Sequence, residues 1–283
     1  MARWRKLGII AGAGPLPHRV AEACRKRGEA IHVVRLAGMA GPELDEFAGE
    51  AAGIAEAGKI IRSLKEGGCD AVILAGVVKR PDFKSLRPDW RGAALIPKLA
   101  AAATRGDGAI LSALIETLEG EGFIVAGVDE AMCELLAAQG PLGRLAPDLK
   151  DLADIAKGAA IVRALGPFDV GQGAVVAGGH VLAVEAAEGT DAMLDRCAAL
   201  PASARGGERN GVLVKRPKPR QELRVDLPTI GVETVRRAHG AGLKGVAVEA
   251  GRAIVIDAAE TAAAADALGI FVYGFSSDEA RSP

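Results

Sequence analysis

The chain has 283 residues, with thirty-five Lys+Arg against thirty-six Asp+Glu and only 3% aromatic residues. Its length favours two domains, each large enough to bury its own core. A formal charge of −1 without long single-sign runs, and few rings on which bases can stack, argue against a nucleic-acid partner.

Leu7–Ala11 reads as a buried strand, Gly12-Ala13-Gly14-Pro15 as a turn, Leu16–Arg27 as an amphipathic helix and Ile31–Val34 as a second strand. A helix over Ile54–Lys65, a strand over Ala71–Leu74, a helix from Gly106-Asp107-Gly108 to about Glu121 and a short strand at Ile124-Val125 follow. This alternation predicts an α/β chain whose residues 1–137 form a Rossmann-like parallel-sheet domain. Turn formers around Ala138–Gly143 predict a linker over 138–146. Residues 147–283 then form a second α/β domain with a mixed sheet and hairpins. A helix over Pro147–Leu165, a hairpin joining Ala174–Val176 to Val181–Val184 and a helix from about Thr190 open that domain.

The hairpin unit recurs weakly. Gly173, Val176, Gly179, Ala186, Ala187 and Glu188 match Gly245, Val248, Gly251, Ala258, Ala259 and Glu260 at a constant spacing of 72 residues. The first copy carries Gly189, Thr190 and Asp191 where the second has Thr261, Ala262 and Ala263. The polar equipment thus belongs to the first copy alone.

Four isolated cysteines, Cys24, Cys69, Cys133 and Cys197, read as buried or half-buried free thiols in a reducing compartment. The apolar run Leu7–Ala11 is too short for a signal-peptide core, and no stretch reaches membrane-spanning length. The expectation is a soluble cytoplasmic protein.

The candidate chemistry is phosphoryl transfer. The turn at Gly12, Gly14 and Leu16, between strand and helix, suits a phosphate at a helix N-terminus. Pro17 in place of a third glycine and Arg35 in place of a ribose-gripping acid disfavour a nicotinamide oxidoreductase. Lys79 and Arg80 follow a buried strand and can neutralise a diphosphate, or form a solvated loop. Asp107 reads as a helix cap first and a ligand contact second. In the second half Gln172, Gly189, Thr190 and Gln221 are further candidate substrate contacts. Glu185, Glu188, Asp191 and Asp226, with Lys215, Lys218 and Arg224 as compensating cations, are how a metal-assisted phosphate site is commonly furnished. Glu188 and Asp191 equally complement a helix dipole, and Asp226 equally forms a salt bridge. The histidines His18, His32, His180 and His239 show no ligand spacing.

Ile9–Pro17, Val77–Pro81, Gly106-Asp107, Asp169–Gln172, Glu185–Met193 and the segment from Lys215 to Thr234 together resemble the UDP-2,3-diacylglucosamine pyrophosphatases of the LpxI type, in order along nearly the whole chain. The resemblance implies hydrolysis of UDP-2,3-diacylglucosamine to UMP and 2,3-diacylglucosamine 1-phosphate (lipid X), a step of lipid A synthesis. It also implies a Gram-negative cell, a magnesium ion with Mn2+ or Co2+ as substitutes, and work at the cytoplasmic face of the inner membrane, with a homodimer left open. It makes Asp226, in Arg224-Val225-Asp226-Leu227-Pro228, the essential aspartate, although Glu222 stands where an aspartate is expected.

The expected arrangement holds substrate between the two domains, with magnesium on Asp226, Glu188 and Asp191 and with Lys215 and Arg224 stabilising charge as water attacks. The alternative is a non-catalytic UDP-sugar sensor.

Overall fold

The computed structural model describes residues 4–78, 87–104, 106–219 and 222–279, with the side chain of Asp107 outside the description. The chain divides into two compact units, Met1–Cys133 and Glu134–Pro283.

In the first unit, β1 (Leu7–Ala11) is an almost unbroken apolar run, as a parallel strand covered on both faces requires. After it come α1 (Leu16–Lys26), β2 (Ile31–Leu36), β3 (Gly49–Ala52), α2 (Ala57–Glu66) and β4 (Ala71–Ala75). The unit closes with α3 (Trp90–Ala103), α4 (Asp107–Gly120), β5 (Ile124–Val125) and α5 (Val128–Ala131). All pairings in this sheet are parallel. The order β3-β2-β1-β4-β5 is that of the Rossmann-type doubly wound sheet. Helix α1 buries Pro17, Val20, Ala21 and Cys24, the three-and-four spacing of one helical stripe. Leu7 and Ile9 are fully buried, each contributing on the order of 1.5–3 kcal/mol through the area removed from water.

The second unit contains β6 (Gly140–Pro141), α6 (Leu149–Leu165), β7 (Gly173–Ala177), β8 (His180–Val184), α7 (Gly189–Ala198), α8 (Ala202–Arg205) and β9 (Val212–Lys215). It continues through β10 (Thr229–Ile230), α9 (Val232–Gly240), β11 (Gly245–Glu249), β12 (Ile254–Val255), α10 (Ala258–Leu268) and β13 (Phe271–Phe275). Six strands form a mixed sheet in the order β6-β13-β11-β9-β7-β8. Strands β9, β11 and β13 are parallel, and both flanks of that trio are antiparallel. Side-chain alternation sorts the core. Val212, Val214 and Ala247 pack with Ile155 and Ala159 of α6. Leu213, Val246 and Val248 face Met193 and Leu194 of α7, Val235 of α9 and Ala265 of α10.

Three expectations change here. The second hairpin of the repeat does not form: β11 is flanked on both edges by β9 and β13, so β12 has no vacant edge and pairs instead with β10 in a separate two-stranded sheet. Residues 138–146 do more than link, because Gly140–Pro141 pairs antiparallel with β13. Pro141 is tolerated there because an edge strand leaves one row of amides unused. The cysteines are thiols outside any disulfide, but Cys133 is exposed while Cys24 and Cys197 are buried.

Candidate functional site

In open α/β sheets ligands bind beyond the carboxyl ends of parallel strands. In the second unit those ends carry the polar side chains. Lys215 is the last residue of β9 and Glu249 the last of β11, while Ser276 and Ser277 follow β13. The antiparallel neighbour β7 starts at the same level, with Gly173 in register with Lys215. Glu185, just past β8, is drawn in by its amide, which donates to the Gly173 carbonyl at 2.9 Å.

Two interlocked groups result. In the first, the Thr190 hydroxyl donates to Glu185 Oε1 at 2.9 Å, and Lys215 Nζ donates to Thr190 Oγ1 at 2.9 Å and to the Thr229 carbonyl at 3.4 Å. Glu185 and Lys215 are buried, and Glu185 Oε2 has no hydrogen-bond partner. In the second, Arg216 and Ser277 Oγ donate to the fully buried Glu249, and the Arg216 amide donates to the Gln172 carbonyl. Lys218 is paired with Asp169, which holds a left-handed φ of 56°.

The crowding around Glu185 explains two of the glycines. Gly171 has a φ of +40°, and a Cβ there would lie 2.0 Å from the Glu185 carbonyl oxygen. A Cβ on Gly173 would lie 2.6 Å from Glu185 Oε2. At Gly171 both the left-handed backbone and the Glu185 carbonyl oppose a side chain, while at Gly173 a side chain would have to displace the Glu185 carboxylate.

Asp226 follows a turn in which the amides of Val225 and Asp226 both donate to the Glu222 carbonyl. Asp226 is half-buried, and three residues on, Thr229 offers its carbonyl to Lys215. Arg224 donates from Nε and Nη2 to the two oxygens of Glu222, at 2.9 and 3.0 Å. That hydrogen-bonded partner holds the Glu222 carboxyl below its usual range.

The expected metal trio is not assembled. Glu188 is engaged by Arg196, and its carboxyl is lowered first by its own backbone amide and then by that arginine. Asp191 lies 3.4 Å from Arg237 Nε, whose guanidinium it raises. With Asp226 these two carboxylates do not come within 4.8 Å of one another as a group. Among the described residues the group with that closeness lies in the first unit: His18, Glu22 and Glu46. His18 and Glu22 share a helix face at i and i+4, a spacing missed in the sequence. Arg25 pairs with both glutamates.

Elsewhere in the first unit, the Gly12–Leu16 turn is already braced. The amides of Gly12 and Ala13 donate to the carbonyls of Ala75 and Val77, each at 2.8 Å. Gly14 has a φ of +89° and Leu16 begins α1, whose second residue, Pro17, has no N–H to offer. Arg35 donates to the carbonyls of Leu44, Phe47 and Gly49, so it shapes that loop. The cap position of α4 is Gly106, with Asp107 as the first helical residue, in place of the aspartate cap expected. Gly189, with a φ of +81°, begins α7 immediately before Thr190. Lys79, Arg80 and Gln221 lie outside the described residues.

Thr190, Lys215 and Gln172, expected as site residues, thus lie with Glu185 at these strand ends, whereas Arg216, Glu249 and Ser277 were not anticipated as a unit. A charged residue closing the apolar run Gly245–Val248 was the available signal for Glu249.

Fold and site together define an α/β protein with a Rossmann-type unit and a mixed-sheet unit whose parallel strand ends bear interlocked acidic and basic side chains. Residues 6–135 match the family model of the LpxI N-terminal domain, and residues 138–273 that of the LpxI C-terminal domain. The chain is 50% identical over 277 residues to the UDP-2,3-diacylglucosamine pyrophosphatase LpxI of Caulobacter vibrioides, an alignment covering 97% of this chain and 99% of that one. The chain belongs to the LpxI family. No helix among the described residues is long and apolar enough to cross a membrane.

Proposed function

We propose that this protein hydrolyses UDP-2,3-diacylglucosamine to UMP and 2,3-diacylglucosamine 1-phosphate, serving lipid A synthesis from the cytoplasmic face of the inner membrane. The observation that carries this reading is the 50% identity, sustained over 97% of the chain, to a pyrophosphatase named for that substrate. The site supports it chemically. Water adds to one phosphorus, the bridging P–O bond breaks, and the departing phosphate oxygen takes up negative charge. Lys215, buried and held by Thr190 and the Thr229 carbonyl, presents a fixed cation for that charge. Asp226, beside this segment, is the carboxylate assigned to activate or orient the water. Arg224 is a weaker candidate than Lys215, because Glu222 already holds both ends of its fork.

Magnesium belongs to the proposal, but the trio expected to hold it does not fit one ion, since arginines occupy Glu188 and Asp191. Of the three, Asp226 remains to hold the ion, which when bound would neutralise charge on the phosphates. The pure protein is incubated with UDP-2,3-diacylglucosamine and magnesium, with and without EDTA, and UMP is measured. UMP release that EDTA abolishes is expected. Binding without UMP release overturns the reading, and release that EDTA leaves intact removes the metal from it.

A further inference from the structure

We propose that Glu185 is a positioning residue that fixes the Lys215 ammonium for the diphosphate by setting the direction of the Thr190 hydroxyl; the inference rests on the pyrophosphatase reading above. The Thr190 hydroxyl carries one proton, and that proton is committed to Glu185 Oε1. A lone pair of the Thr190 hydroxyl oxygen is thereby left for Lys215 Nζ. An ammonium has three N–H bonds. With one on Thr190 and one on the Thr229 carbonyl, its third direction is set by geometry.

A second observation marks Glu185 as more than a local brace. It is only 7% exposed, and its Oε2 is buried without a hydrogen-bond partner. Burying an unpartnered carboxylate oxygen is costly, so a residue kept in that state calls for a role beyond packing. Gly173 also leaves room for the carboxylate, since a Cβ there would lie 2.6 Å from Glu185 Oε2. Such an arrangement is expected of a group that orients a charged neighbour.

The test compares Glu185→Gln, Thr190→Val, Thr190→Ser and the double variant Glu185→Gln/Thr190→Val with the wild type in kcat and KM for UMP release, alongside thermal unfolding. Glu185→Gln and Thr190→Val should each lower kcat roughly 10- to 100-fold with a smaller change in KM, as orienting groups do. Thr190→Ser should restore most of the loss, and the double variant should be no slower than the worse single one, because both act through the same hydroxyl. A kcat for Glu185→Gln within about twofold of wild type, or losses that multiply in the double variant, overturns the proposal. So does a loss that tracks thermal stability and is not rescued by serine. A wild type that releases no UMP removes the underlying reading and this inference together, whereas an active wild type with indifferent Glu185 variants removes this inference alone.

Discussion

Arg216 Nη2 lies 3.1 Å from Glu249 Oε2, and Glu249 is wholly excluded from solvent. The same nitrogen is aligned as a hydrogen bond to Oε1, at 3.4 Å, and Ser277 Oγ donates to that oxygen as well. Removing one partner of such a pair leaves the other charge buried and uncompensated. Glu249→Ala should therefore cost about 3–5 kcal/mol in urea unfolding, and the double variant Glu249→Ala/Arg216→Met considerably less. Additive losses would show that the two residues do not act as a pair.

Asp226→Ala should lower kcat for UMP release roughly 10²- to 10⁴-fold while substrate binding persists, the range expected for loss of an acid–base group. Lys215→Ala should cost roughly 10²- to 10³-fold, as removal of a transition-state charge stabiliser does. Arg224→Ala should be milder, since Glu222 already engages that guanidinium. Full activity in Asp226→Ala would take away its assigned role.

Glu188→Gln and Asp191→Asn should stay within about threefold of wild-type activity, because each carboxylate serves an arginine at the protein surface. A large loss in either variant, reversed by raising the magnesium concentration, would return that carboxylate to the ligand set.

Acid stability should depend on Asp148. This residue caps α6, where hydrogen bonds from the Asp151 amide and from Lys244 pull its carboxyl down to about 2. Burial alone would lower Lys244, but Asp151 and Asp148 more than offset it and raise the ammonium. Because the folded carboxyl titrates below its unfolded value of about 4, its contribution is complete above that pH and disappears as pH falls through about 2. Asparagine caps helices equally well, so Asp148→Asn isolates the charge. Its urea midpoint should fall below wild type at pH 6 and converge with it near pH 2; a constant gap would point to capping geometry instead.

The apolar runs Leu7–Ala11, Ala71–Ala75 and Gly173–Ala177 were legible because parallel or doubly covered strands need no polar face. β3 was not, since Gly-Glu-Ala-Ala lacks both β-branched residues and an alternating pattern. α3 escaped notice because Pro97 interrupts it and its alanine-rich sequence shows little periodicity. At the site, Thr190 and Lys215 were readable as polar residues beside strand ends. The meeting of Arg216 with Glu249 was not, because it arises from parallel pairing of β9 with β11, and nothing local links residues 33 apart. The repeat misled for the same reason: like segments entered different sheets once neighbours had filled the edges of β11.

Strand order also governs when the cluster can exist. β9 sits between β7 and β11, neighbours that lie on either side of it in sequence as well. Docking Gly173 against Lys215, and Lys215 against Val248, means closing long loops before the reward of pairing arrives. A nascent chain that stops short of Gly245 lacks Glu249 and carries Arg216 without its counter-ion. Competence for chemistry should thus emerge late and in one cooperative step, with no partly active precursor along the way.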